Sequence, residues 1–168
     1  MQKMPDGTIF IADSSALIEI QQKYPHDVFG GLWKNLSGLA KNGRMVAPRH
    51  VFDEIKNYAR DDYLKTWAAQ HKDMFKEPTP AHYLKVKEIL ASFPHLINPK
   101  SEFEQADPYV IAMAVCMASQ TTLVQNIRVV VTEESFSKPQ KIPDVCRNLG
   151  IKCINTIEMF RQEGWKFE

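Results

Sequence analysis

The chain has 168 residues, 44% hydrophobic and 24% charged, which is typical of one globular domain, here expected to span residues 1–168. The net charge of +1 excludes a global field that would draw the protein to nucleic acid or membrane, so any basic surface must be local. The three cysteines lack C-x-x-C spacing, which argues against a disulfide framework or a zinc site. Without a signal peptide or a membrane-length apolar run, we expect a cytoplasmic protein that does not enter a membrane.

The first half of the chain predicts strands that alternate with helices. An apolar run at Ile9–Ala12 indicates a buried strand, and it stops at an acid followed by two serines. The elements expected after it are a helix over Ser15–Lys23, a helix capped by Asp27 and ended by Asn42-Gly43, a strand over Met45–Ala47, and a helix from Pro48 to about Ala59.

The second half adds two more helices and then resumes the alternation. The expected elements are helices over 61–75 and 79–93, the latter capped by Thr79, a loop over 94–106, a very apolar helix over 109–119, a strand over 127–131, a short helix from 142 that a glycine at 150 stops, a strand over 151–154, and a helix capped by Thr156. Such alternation predicts an α/β fold with a central parallel sheet. The block from 48 to 93 is interpreted as a helical insertion over one edge of that sheet.

Asp13 is the first candidate site residue, because it directly follows the predicted strand Ile9–Ala12. A buried strand that ends in a carboxylate places that carboxylate at the carboxyl edge of the sheet, where open α/β sheets bind their ligands. The simpler alternative is that Asp13, Ser14 or Ser15 caps the following helix.

Glu54 and Asp53 are adjacent acids that helical phase separates. The apolar face of their helix carries Val51, Phe52, Ile55, Tyr58 and Ala59. Glu54 falls roughly 100° from the centre of that face and Asp53 roughly 160°. Glu54 can therefore lean into a cleft beside the core, whereas Asp53 faces solvent. The alternative is that Glu54 is an ordinary solvated residue on the flank of the helix.

Three more acids occupy comparable positions. Asp107 precedes Pro108 at the start of the apolar helix, where it is a natural cap. That role is compatible with metal binding, since the helix dipole and free amides stabilise an ionised carboxylate. Glu133 and Glu134 follow the strand over 127–131 and so also lie at the carboxyl edge, although solvated loop acids are the alternative for both.

Converging carboxylates repel one another unless cations neutralise them, and hard oxygen ligands select Mg²⁺ or Mn²⁺. Such a site activates water and stabilises the leaving oxygen of a phosphodiester. No sulfur or histidine pair offers ligands for a different metal chemistry.

Four segments in this order resemble the PIN domain, and the match covers most of the chain: Asp13-Ser14-Ser15, Glu54 within a helix, Asp107 before Tyr109-Val110-Ile111-Ala112, and Val131-Thr132-Glu133-Glu134. The motifs are short, so their specificity lies in order and spacing. Residues 141–146 and 151–155 further resemble a bacterial branch of PIN-like proteins akin to VapC toxins. The resemblance implies a three-layer α/β/α fold, Mg²⁺-dependent cleavage of RNA and, for toxin members, inhibition by an antitoxin protein.

The resemblance also implies roles for individual residues. The first three acids of the PIN pattern carry over to Asp13, Glu54 and Asp107, as catalytic residues and metal ligands. The fourth position, usually Asp in a Thr-x-Asp segment, falls on Glu134, which is longer by one methylene; whether Glu133 or Glu134 is the fourth acid stays open. Ser15 and Thr132 match small hydroxyl positions that orient ligands or water, and Glu133 is placed with these supporting residues. Glu102 and Glu104 in the 94–106 loop match nothing in the pattern.

Three functions stay open on the sequence alone. The first is a metal-dependent endoribonuclease, the toxin of a toxin–antitoxin pair; the second is a catalytically silent PIN-like module that binds RNA or protein. An acid-rich phosphohydrolase is third, but it would want a second acid two residues after Asp13, where Ser15 stands. Basic residues near the Glu54 helix are weak candidates for substrate contact, with ordinary solvated side chains as the alternative: Lys41, Arg44, Arg49, Lys56 and Arg60. The RNA, the number of metals and the oligomeric state are open, with a homodimer as one expectation.

Overall fold

A computed structural model describes residues 7–58, 63–118 and 127–168. Within these ranges, five strands form one sheet in which each neighbouring pair is parallel, in the order β3-β2-β1-β4-β5. The strands are β1 (Ile9–Ala12), β2 (Met45–Pro48), β3 (Phe75–Lys76), β4 (Arg128–Val131) and β5 (Lys152–Ile154). The predicted α/β fold with a central parallel sheet is confirmed.

Eight α-helices flank this sheet within the described part of the chain. They are α1 (Ser14–Lys23), α2 (Gly30–Lys41), α3 (Arg49–Asn57), α4 (Tyr63–Gln70), α5 (Pro80–Ser92), α6 (Asp107–Ala118), α7 (Ile142–Asn148) and α8 (Thr156–Gln162). None of the helices in the described ranges is long and apolar enough to cross a bilayer.

The core lies around the centre of the sheet. In β1, Phe10 and Ile11 are both fully buried although their side chains point to opposite faces, so helices cover this strand on both sides. The apolar run of α6 is likewise buried from Val110 to Ala114, whereas Val115, Cys116 and Met117 are only partly buried, so the predicted burial on every side is confirmed for the first part of the run alone. The carboxyl ends of β1 and β4 are therefore supported by the buried core of the protein.

The segment predicted as one helix over 61–75 is instead three elements. Helix α4 ends at Gln70, a 3-10 turn follows at Lys72–Met74, and Phe75–Lys76 forms the short edge strand β3, which pairs with β2. The helical insertion thus contributes a strand to the sheet. A two-residue strand is too short to produce the alternating pattern by which strands are recognised in sequence, so the prediction missed it.

Two of the predicted helix caps need correction. Helix α2 begins at Gly30 with Phe29 as its N-cap rather than Asp27, and Asn155 rather than Thr156 caps α8. The Thr79 cap of α5 is confirmed, because its side chain accepts a bond from the His82 amide. The predicted ends at Ala59 and Ser119, and the start at Asp61, lie outside the described residues.

Candidate metal centre

Three carboxylates converge at the carboxyl edge of the sheet. One oxygen each from Asp13, Asp107 and Glu134 lies within 4.8 Å of the others. Asp13 is 1% exposed, and the other two side chains are partly buried. Asp13 follows β1, Glu134 follows the neighbouring strand β4, and Asp107 begins α6, so three separate elements build one acidic cluster.

Asp13 is fixed by three donors. The Ser14 amide donates to Oδ1 at 2.8 Å, while the hydroxyls of Ser15 and Thr132 donate to Oδ2 at 2.6 and 3.0 Å. Asp13 is also the N-cap of α1, so the capping alternative is confirmed, and the cap is compatible with the place of Asp13 in the acidic cluster. Because the donors come from α1 and from the end of β4, they orient the carboxylate before any ligand binds.

Thr132 and Ser15 also hold the loop that carries Glu134. The Glu134 amide donates to Thr132 Oγ1 at 3.1 Å, and the Glu133 amide donates to Ser15 Oγ at 3.0 Å. The two hydroxyl oxygens lie 3.1 Å apart. The predicted supporting positions of Ser15 and Thr132 therefore have a physical basis, because each hydroxyl joins Asp13 to the loop after β4.

Glu133 and Glu134 diverge. Glu134 reaches the acidic cluster, and its Oε2 accepts a bond at 3.1 Å from the Ile142 amide at the start of α7. The side chain of Glu133 turns to α8, where Oε1 accepts from the Thr156 amide at 2.9 Å and from its hydroxyl at 2.5 Å. The structure thus places Glu134 in the cluster and Glu133 at a helix terminus.

Asp107 lies in the first turn of α6 instead of capping it. The helix begins at Asp107 itself, and the Val110 amide bonds to the Ala106 carbonyl at 2.9 Å. The predicted cap role is therefore wrong by one position, since the residue before Asp107 supplies the first helical acceptor. Its carboxylate joins the cluster, where the positive end of the α6 dipole favours negative charge.

Glu54 lies beside the three clustered carboxylates and braces two of them. Its Oε1 accepts from the Ala106 amide at 2.8 Å, next to Asp107, and its Oε2 accepts from the Ser14 hydroxyl, next to Asp13. Its adjacent acid Asp53 instead pairs with Arg49 at 2.5 Å, as the helical phase predicted for two side chains pointing apart. Glu54 therefore holds the neighbours of two candidate ligands in register.

Burial and mutual repulsion change the acidity of the cluster. Burial raises the pKa of Asp13 to about 6, with the charges of Glu134 and Glu54 adding to it against the hydrogen bonds from Ser15 and Thr132. Burial, followed by the charges of its three acidic neighbours, raises the pKa of Asp107 to about 9. A hydrogen bond between Asp107 and Glu134 contributes to that increase. The cluster thus holds a proton near neutral pH where a cation could replace it.

Most of the predicted basic contacts lie elsewhere. Arg44 sits at the amino end of β2, where it donates to both oxygens of Glu163 at 2.8 and 2.9 Å, far along the strand from the acids. Arg49 is engaged by Asp53, by Glu77 at 2.9 Å and by Glu104 at 3.7 Å. Lys41 ends α2, before the amino end of β2, and Arg60 lies outside the described residues.

Lys56 is the predicted cation that borders the site. It lines a groove of about 600 Å³ that runs between α3 and residues 101–105, with Glu54 on its wall. Tyr58 and Phe103 also line this groove, and Phe103 is 72% exposed. Of the four predicted acids, Glu54 is the one that lines this groove.

Three contributors to the site were not identified from the sequence. Ser14 belongs to the Asp13-Ser14-Ser15 motif and is a predicted cap, but the sequence assigns it no contact within the site, whereas its hydroxyl binds Glu54. His50, 1% exposed, contacts Glu104, whose position in the 94–106 loop matched no pattern. One signal could have found His50, because His50 and Glu54 are four residues apart on α3 and so share a helix face.

The chemistry of the donors fits a hard divalent cation. Three carboxylates offer oxygen ligands, one is buried, and the nearby polar groups hold these oxygens together rather than neutralising them. Mg²⁺ and Mn²⁺ are bound in proteins through a small number of such carboxylates. The arrangement thus defines an α/β protein with an acidic, metal-competent cluster at the carboxyl edge of a parallel sheet.

Comparison with known families places the chain more narrowly. Residues 10–167 match the family model described as a domain of unknown function, DUF4411, and the chain belongs to this family. A search of curated proteins found no match.

Proposed function

We propose that this protein is a PIN-like endoribonuclease that uses Mg²⁺ or Mn²⁺ to hydrolyse RNA phosphodiester bonds. The observation that carries the proposal is the convergence of Asp13, Asp107 and Glu134 at the carboxyl edge of the sheet. The order of these acids along the chain agrees with the PIN pattern, and Glu54 joins them in space through Ser14 and Ala106. The toxin role, and an antitoxin protein as partner, rest on the resemblance of residues 141–146 and 151–155 alone.

The residues of the site have distinct tasks in this proposal. Asp13, Asp107 and Glu134 hold the cation, and Ser15 and Thr132 fix the orientation of Asp13. A cation bound there supplies the charge that activates water and stabilises the leaving oxygen. Glu54, which already accepts two hydrogen bonds, keeps Asp13 and Asp107 at a fixed separation through their neighbours. In this proposal the substrate occupies the groove that Lys56 and Glu54 line, beside the clustered acids.

The proposal is tested by incubating the purified chain with a mixed-sequence RNA in Mg²⁺ or Mn²⁺, and in EDTA. We expect cleavage with either cation and none in EDTA. Equal cleavage in EDTA would contradict the metal mechanism. Binding of RNA without cleavage under any metal condition would favour the catalytically silent PIN-like module.

A further inference from the structure

The segment before Asp107, residues 98–106, is closed on itself. The Gln105 side chain accepts from the Asn98 amide at 2.9 Å and donates to the Asn98 carbonyl at 2.8 Å. This pair of bonds joins the two ends of the segment. Because Asp107 begins α6 directly after this segment, the way the closed segment attaches to the rest of the protein bears on the position of Asp107.

Glu104 provides one attachment. Its Oε2 lies 2.8 Å from His50 Nε2, and its Oε1 accepts from the Tyr109 hydroxyl at 3.3 Å. The His50 ring stacks on the Tyr109 ring with centroids 3.7 Å apart and planes at 15°. Because an ionised carboxylate only accepts, His50 Nε2 carries the proton in this bond. A single carboxylate thus joins α3, the segment and α6.

The second attachment comes from the same face of α3. Glu54, four residues after His50, accepts from the Ala106 amide at 2.8 Å. Two side chains one helical turn apart therefore bind residues 104 and 106, immediately before the candidate ligand Asp107. His50 and Glu54 lie about one turn apart on α3, and the residues that they bind, Glu104 and Ala106, lie two positions apart in the segment.

We propose that His50 and Glu104 are positioning residues that hold Asp107 in the cation site by fixing residues 104–106 to α3. This inference rests on the proposed function, because it assigns a role toward the same cation. It also gives the 94–106 loop, which matched no part of the PIN pattern, a purpose. Groups one step removed from metal ligands typically change metal affinity by about 10–100-fold when removed.

The test measures Mn²⁺ binding alone, by isothermal titration calorimetry without RNA. Glu104→Ala should weaken Mn²⁺ binding by about tenfold or more. Glu104→Gln should stay close to wild type, because its one carbonyl oxygen can accept from His50 while its amide donates to the Tyr109 hydroxyl oxygen. Glu102→Ala is the matched control, since it removes an exposed carboxylate from the same segment and should leave the affinity within about twofold.

Three results would overturn the proposal: wild-type affinity in Glu104→Ala, an equal loss in Glu102→Ala, or a Glu104→Gln variant as weak as Glu104→Ala. A merely structural role would lower the melting temperature in EDTA and leave the affinity of the folded protein for Mn²⁺ unchanged. Because Glu104→Ala leaves the Nε2 of the buried His50 without its carboxylate partner, we expect this variant to melt below wild type in EDTA, and the positioning role requires that its Mn²⁺ affinity fall as well.

Amide hydrogen exchange separates this proposal from the proposed function. If the wild-type chain binds no Mn²⁺, the metal function fails, and the exchange rate of the Ala106 amide decides the positioning role by itself. Faster exchange in Glu104→Ala than in Glu102→Ala supports the role, because the Ala106 bond to Glu54 then depends on Glu104. Equal exchange rates in the two variants would overturn it.

Discussion

The two edges of the parallel sheet, where the amino ends and the carboxyl ends of its strands lie, differ in how their charged side chains are paired. At the amino edge, Arg44 and Glu163 form a two-bonded ion pair, and the Arg44 Nε also donates to the Thr8 carbonyl. At the carboxyl edge, the carboxyl groups of Asp13, Asp107 and Glu134 converge, and burial together with their mutual repulsion raises the pKa of Asp107 to about 9. Titratable groups perturbed in this way are common at ligand-binding sites, so this edge points to a ligand.

The largest expected effect comes from comparing substitutions at the two edges by their RNA cleavage and their stability. Asp13→Asn and Asp107→Asn should each lower RNA cleavage by more than about a hundredfold, because each removes a ligand rather than a group one step away. Arg44→Ala should leave cleavage within about twofold but lower stability by about 1–3 kcal/mol, because Glu163 is left without its partner. Cleavage rates and thermal melts of the same three variants check both halves.

The expected outcome is that the residues at the carboxyl edge are needed for RNA cleavage, whereas the ion pair at the amino edge is needed for stability. A loss of cleavage in Arg44→Ala that matches the loss in Asp107→Asn would remove the distinction.

The neighbours Glu133 and Glu134 sharpen the comparison within one loop. Glu134→Gln should reduce cleavage by at least about tenfold, because it replaces a carboxylate of the cluster. Glu133→Gln should leave cleavage nearly intact and cost about 1 kcal/mol of stability, since Glu133 binds the Thr156 amide and hydroxyl at the start of α8. Parallel cleavage and melting measurements distinguish the two, and equal cleavage losses would show that the assignment of the fourth acid is wrong.

Substitutions of Glu54 and Asp53 should change RNA cleavage by amounts that differ less than those for the preceding pairs. Glu54→Gln keeps the shape of the side chain but presents an amide to one of its two donors, so we expect about a tenfold loss of cleavage. Asp53→Asn alters a partly exposed pair with Arg49 and should stay within about twofold. The comparison of kcat/KM for the two variants tests whether Glu54 holds the neighbours of Asp13 and Asp107 in place. A lower kcat/KM for Asp53→Asn than for Glu54→Gln would contradict that role.

The sequence was sufficient to predict features that depend on local pattern. The apolar runs of β1 and β4 and the all-apolar α6 predicted a buried parallel sheet, and acids at their ends predicted the cluster. Helical phase correctly separated Glu54 from Asp53. These features are local because strand and helix periodicity, not tertiary context, decides which side chains face the core.

Features that depend on distant pairings were not predictable. Strand β3 is two residues long, and only its pairing with β2 defines it. Arg44 looked like a substrate contact because Glu163, its partner, is 119 positions away in sequence. Glu133 and Glu134 could not be distinguished until the start of α8 was placed next to one of them.

The central claim, that the acids at the carboxyl edge form a cation site, is tested most directly by thermal melts in Mn²⁺ and in EDTA. A cation that binds only the folded chain at a hundredfold excess over its dissociation constant stabilises it by about 2.7 kcal/mol. For a domain of this size we therefore expect wild type to melt about 5–10 °C higher in Mn²⁺. Asp107→Asn should lose most of that shift. At pH 9 and above, where the wild-type Asp107 ionises, the variant should also melt above wild type in EDTA, because one repelling charge is gone.

The cation site also predicts the direction in which the melting temperature changes with pH. The pKa of Asp107 in the folded chain is raised from 3.8 to about 9, so the folded state holds more protons and the stability in EDTA should fall as pH rises across that window. The stabilisation by Mn²⁺ should grow over the same range, because less proton has to be displaced. A melting temperature indifferent to millimolar Mn²⁺ at every pH between 6 and 9 would contradict a cation site at this edge.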